Sequence, residues 1–160
     1  MRTKHELQTS SSSAARETPA GRPLLVVPEG IDSLQARRVI VAWKDAREAR
    51  RVVRDALPFL KKAERMMIIE VCENGTEAQS LQHMNDLASY LLHHKVIVAE
   101  KAYLHTEQPV ANELLRFAKD ENADLIVAGG YGHSRLGEWM FGGVTRGMLR
   151  DSPICSLFSH

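Results

Sequence analysis

Apolar positions along the chain alternate between short β-branched runs and longer stretches at helical spacing. The run "RVIVAW", Arg38 to Trp43, predicts a strand, and "DAREARRVVRDALPFLKKAE" after it places Ala46, Ala49, Val53, Ala56, Leu57 and Leu60 on one helical face. The alternation recurs in "RMMIIEVC" followed by a helix over Thr76 to His94. There Thr76 and Gln79 form a capping-box pattern, and Leu81, Met84, Leu87 or Ala88, and Leu91 share a face. "KVIVAEKAYL" and "PVANELLRFAKDEN", with proline near the first turn, predict a third unit; "ADLIVAGG" opens a fourth, and "PICSLFS" is a closing strand. Five short apolar strands joined by crossover helices imply a parallel sheet covered on both faces, an α/β, doubly wound fold.

Ahead of this pattern the chain reads differently. Residues 1–22 carry four consecutive serines and almost no large apolar side chains, so they predict a disordered or loosely attached tail. "PLLVVPEG" is a single strand-like run bracketed by Pro23 and Pro28, which suits a sheet edge. The expected organisation is thus a tail over 1–22, an extra edge-strand segment and linker over 23–37, and one domain over 38–160.

Composition limits the functional classes without choosing among them. With 160 residues, 44% of them apolar, the chain suits one well-buried core. A formal net charge of +1 gives no reason to expect a polyanionic partner. No apolar run approaches the roughly 20 residues that span a bilayer, and the first thirty residues lack a secretory layout, so a cytoplasmic protein without a membrane partner is expected. Cys72 and Cys155 lie far apart in strand-like runs, which predicts buried thiols rather than a disulfide or zinc site.

Candidate chemistry concentrates in "GGYGHSRLGEWMFGGVTRG", Gly129 to Gly147, which holds seven of the ten glycines in nineteen residues. In open parallel sheets ligands sit beyond the carboxyl ends of strands, where backbone amides at a helix start favour anions. The segment therefore suits a phosphate cradle, or equally a turn with close helix packing. Its spacing fits neither the Walker loop nor the dinucleotide fingerprint.

The Gly129-x2-Gly132-x9-Gly142 spacing after "ADLIVAGG", together with "GVTRGMLRDSPICSLFSH" and "VIVAWKDAREARRVVRDALPFL", resembles the universal stress protein family over about residues 24–160. In particular it looks like the second half of tandem members, with "GRPLLVVPEG" similar to the last strand of a first half. The resemblance implies a Rossmann-like, adenine-nucleotide alpha-hydrolase-like sheet of five parallel strands in order 3-2-1-4-5. It also implies ATP or a related adenine nucleotide, with Mg2+ as a candidate companion, in a stress-response or signalling role. Carried over, Gly129, Gly132, Gly142 and Gly143 would surround phosphates, with Val144 and Thr145 completing the cradle and Val71 against adenine. His133 lies in the same loop, where donating to phosphate and simple solvation are both open. Two positions depart from the family's pattern: Gly143 lacks the hydroxyl usual there, and Lys44 stands for an aspartate, with the neighbouring Asp45 as the candidate to replace it. The bulk of Trp43 suits stacking on adenine or filling the adenine pocket.

No residues are placed for fast phosphate chemistry, so no catalytic role is expected beyond at most slow ATP hydrolysis. Trp139, Met140 and Phe141 read as core, and Arg135 as phosphate ligand or surface. His93 and His94, adjacent on a helix, cannot chelate one ion together. Ten Lys or Arg against four acidic residues between Arg37 and Arg65 suggest a nucleic-acid footprint, but no aromatics interleave and a solvated helix face is the better account. The closer rival is a dimeric scaffold of the same fold that binds no nucleotide. The resemblance implies a homodimer through residues 153–159; "LLVVP" could instead cover that edge, in cis or from a second chain.

Overall fold

The β-branched runs form the strands of one sheet, and the amphipathic stretches between them cross over its faces. The structure, a computed structural model, describes residues 22–72, 75–105, 109–129, 148 and 152–159. In chain order the elements are β1 (Leu24–Val26), β2 (Arg38–Trp43), α1 (Arg47–Leu60), β3 (Arg65–Val71) and α2 (Glu77–His93). Then come β4 (Glu100–Leu104), α3 (Val110–Asp120), β5 (Leu125–Gly129) and β6 (Cys155–Ser159). The tail expected over 1–22 lies, apart from its last residue, outside the described residues.

The sheet runs β1-β6-β5-β2-β3-β4. Its five parallel strands, read from β4 to β6, follow the 3-2-1-4-5 order that the family resemblance implied. The sheet nevertheless has six strands rather than five, because β1 pairs antiparallel with β6, Leu24 opposite Phe158 and Val26 opposite Ser156. Residues 24–26 therefore cover the outer edge of β6 in cis. At residues 156–158 the outer edge of β6, the physical motive for joining two copies through 153–159, is thus already paired.

Side-chain alternation sorts the strands onto two cores. Val39 and Val41 of β2, with Met66 and Ile68 of β3, pack under α1 and α2. Ile40, Met67, Ile69 and Ile126 face the other way, onto α3 and Met148. Helix α1 turns Ala49, Val52, Val53, Ala56 and Leu60 inward. On α2 the buried stripe is Ser80, Met84, Leu87 and Leu91, so Leu81 is turned outward and is 44% exposed. Leu81 follows Ser80 by one residue, about 100° round the helix, and the small serine is what lies against the sheet. Thr76 holds the N-cap position of α2 without the capping-box side-chain bond. The third strand is shorter than "KVIVAEKAYL" suggested, since Lys95 is spent on leaving α2 and Ile97 faces solvent.

Two polar contacts fix the frame. Both carboxylate oxygens of Asp124 accept backbone amides at the start of β2, from Arg37 and Arg38, each at 2.9 Å. The Ser159 hydroxyl donates to Asp55 at 2.8 Å, tying β6 to α1. Cys72 and Cys155 are both free, and β2 and β5 stand between their strands, three steps or about 14 Å.

Candidate functional site

Strand β2 is followed in the chain by β3 on one side, while β5 returns to its other side, so strand order reverses between β2 and β5. Crevices at such reversals, beyond the carboxyl ends of strands, are where open α/β sheets hold ligands. The registers Trp43 with Glu70 and Ala42 with Ala128 bring Trp43, Lys44, Val71 and Gly129 to that one edge. Gly132, His133, Gly142, Gly143, Val144 and Thr145 lie outside the described residues, as do Arg135, Trp139, Met140 and Phe141.

Each of the four described residues does something definite. A Cβ on Gly129 would stand 2.7 Å from the Ala49 nitrogen and 2.9 Å from the Glu48 carbonyl carbon, so glycine is required there for the first turn of α1 to close on β5. Trp43 is 8% exposed and points with Val39 and Val41 toward α1 and α2. Its indole Nε1–H is buried with no acceptor among the described residues. Lys44 is exposed, and its charge acts on Glu70. Val71, half-buried, ends β3. Asp45, the candidate to stand in for the aspartate, is engaged in an ion pair with Arg50.

Glu70 was not legible as a site residue. Level with Trp43 on the neighbouring strand, it is 6% exposed, with Oε1 3.4 Å from His83 Nδ1 and Oε2 buried with no hydrogen-bond partner of its own among the described residues. Burial pushes its carboxyl above the usual carboxylate range, against His83, Ser80 and Lys44, which pull it down. Past the end of β3, Cys72 Sγ lies 3.8 Å from His105 Nδ1, and His105 Nε2 is 3.2 Å from Glu77. Burial pushes the Cys72 thiol up and the Glu77 and Glu70 charges add to it, against a hydrogen bond with Ser80 that pulls it down. Among the described residues no three His, Cys, Asp or Glu side chains converge as metal ligands, and no helix is long and apolar enough to cross a membrane.

A cleft of about 660 Å³ opens between α1 and α2. It exists because α1 lies chiefly over β5 and β6 while α2 lies over β3 and β4, which leaves a gap between the two helices above Trp43. Trp43 lines it from the sheet. One wall is Arg47, Arg50, Arg51 and Arg54, and the facing wall is His83, Asp86, Leu87 and Tyr90. Both sets run i, i+3, i+4, i+7, the spacing of a single helical stripe. The second stripe is visible in the sequence only once the position of α2 is known.

Residues 35–157 match the family described as the universal stress protein family. Among solved structures, a universal stress protein from Archaeoglobus fulgidus DSM 4304 superposes with a TM-score of 0.63 at 22% identity, over 86% of this chain and 49% of that one. The present chain thus spans about half the length of that relative. A universal stress protein in complex with cAMP gives a TM-score of 0.60 at 22% identity, covering 78% of this chain and 96% of that one. A third, from Archaeoglobus fulgidus in complex with dAMP, gives 0.58 at 15% identity, covering 79% and 98%. Among curated proteins none matches the chain. With the family matched over more than half its length, on a sheet of the order the family implies, this chain belongs to the universal stress protein family.

Proposed function

We propose that the chain binds an adenine nucleotide at the carboxyl edge between β2 and β5, in a stress-response or signalling role without fast turnover. The observation that carries this is the meeting of Trp43, Lys44, Val71 and Gly129 at the point where strand order reverses. The solved relatives in complex with cAMP and dAMP support the choice of ligand. The segment following Gly129 supplies the glycines for a backbone cradle, Gly132, Gly142 and Gly143, with His133, Val144 and Thr145 beside them. ATP with Mg2+ is the form to test first, because a cradle of amides suits a polyphosphate. Since Gly143 carries no hydroxyl, we expect weaker affinity than in motif-complete relatives. One lost hydrogen bond to a charged group is worth about 1.5–3 kcal/mol, or ten- to a hundredfold.

Calorimetry of the purified chain with ATP, with and without Mg2+, tests this reading, with cAMP as a second ligand. Binding in the micromolar to submillimolar range is expected, and Gly142→Asp, which sets a carboxylate against the phosphates, is expected to abolish it. No heat up to millimolar nucleotide, or equal binding by the variant, would transfer the assignment to a scaffold that holds no nucleotide. On either reading a homodimer through residues 153–159 forms only if β1 leaves β6, because β1 already pairs with that strand.

A further inference from the structure

Four guanidinium groups on one face of a helix ordinarily mean a solvated surface. Here they form one wall of a concave space whose other boundaries are partly apolar: Trp43 from the sheet, and Leu87 and Tyr90 from α2. The stripe from Arg47 to Arg54 spans seven residue steps, about 10 Å of helix. The charges do not cancel within the cleft. Asp45 is used by Arg50, and Asp86 is the other carboxylate lining it. Arg47 and Arg54 have no ion pair among the described residues. The volume, about 660 Å³, falls within the roughly 300–1,000 Å³ that clefts for small ligands occupy. The floor adds a second, independent sign: the Trp43 indole Nε1–H is buried without an acceptor among the described residues, and Glu70 braces His83, which lines the cleft.

We propose that the cleft between α1 and α2 is a second binding site, which borders the nucleotide edge at Trp43 but holds its anion on the arginine wall instead of the glycine-rich segment, for a small ligand that combines a planar aromatic ring with an anionic phosphate- or carboxylate-type group. The ring lies against Trp43, Leu87 and Tyr90, and the anion is held by Arg47 and Arg54. Guanidinium groups match such oxyanions with paired donors and also stack on flat rings, so an arginine wall facing aromatic side chains serves both halves of the ligand. A long polyanion would need an open track, whereas this space is bounded by two helices and the sheet.

The test is calorimetry of the full chain with 1-naphthyl phosphate as probe, and with 1-naphthol and inorganic phosphate as its two halves. Saturable binding of one equivalent is expected, with each half weaker by at least about tenfold. Arg47→Gln combined with Arg54→Gln is expected to weaken the probe by about ten- to a hundredfold. Tyr90→Ala, at a partly exposed ring outside the core, is expected to weaken it severalfold while leaving thermal unfolding unchanged. Gly142→Asp is expected to leave probe binding intact whatever it does to ATP, so failure of the nucleotide reading and failure of this one are distinguishable. No saturable binding up to about 10 mM probe, or equal binding by the double variant, overturns the proposal. A single-stranded oligonucleotide that binds where the probe does not would assign the arginines to an open polyanion surface and likewise overturn it. Competition between ATP and the probe, with both weakened by the double variant, would show one site instead of two.

Discussion

At Glu70 a carboxyl group is folded into a place that suits its neutral form. Its ordinary value when unfolded is about 4.3, and burial raises it in the native state. A raised carboxyl contributes stability that is fully present below the unfolded value and is lost as pH rises through the folded one. Glu70→Gln, which keeps the shape and removes the charge, is therefore expected to match the parent chain near pH 4. Above that it becomes progressively more stable, reaching a constant difference once the buried carboxyl of the parent has ionised. Urea midpoints of both proteins from pH 4 to 8 measure this; a difference that shrinks with pH would mean the His83 contact outweighs burial. The sequence "MMIIEVC" could not announce the effect. Period-two alternation assigns Glu70 to the face of α1 and α2, but burial there depends on Trp43 beside it and His83 from the next helix.

The helix interiors were legible because their apolar spacing is a local property, whereas two of their ends were not. Both α2 and α3 close with the same pair of bonds. Lys95 N–H donates to Leu92 and Val96 N–H to Leu91, while Asn122 N–H donates to Lys119 and Ala123 N–H to Ala118. Lys95 and Asn122 sit at φ of 63° and 53°, the left-handed conformation this motif requires, and Val96 and Ala123 are buried behind them. Glycine is the usual residue there, and its absence removed the stop signal, which is why the strand after α2 appeared to begin at Lys95. A lysine pays about 1 kcal/mol for that conformation, and asparagine less. Lys95→Gly is expected to raise stability by about 0.5–1 kcal/mol, with a smaller gain for Asn122→Gly, read as shifts in urea midpoint at unchanged slope.

For the molecule as a whole, the alternation of strands and crossover helices made the parallel sheet legible, whereas its strand order came from the resemblance to the family. The pairing of β1 followed from neither, since a three-residue strand can reach an edge from its own chain or from another. Deleting residues 22–27 would expose the unpaired groups of β6, and light scattering of that variant is expected to show dimers or larger species at concentrations where the full chain is monomeric. The cleft between the helices was equally hidden: the arginines read as ordinary surface until the distance of α1 from α2 was known. One feature joins it to the other edge. Where Gly129 meets Ala49 there is no side chain to yield, only backbone against backbone. The same close approach that forbids a side chain on the last residue of β5 sets the seat of the first turn of α1, which carries Arg47 at its head, so one hydrogen atom in place of a methyl group fixes where the arginine wall begins.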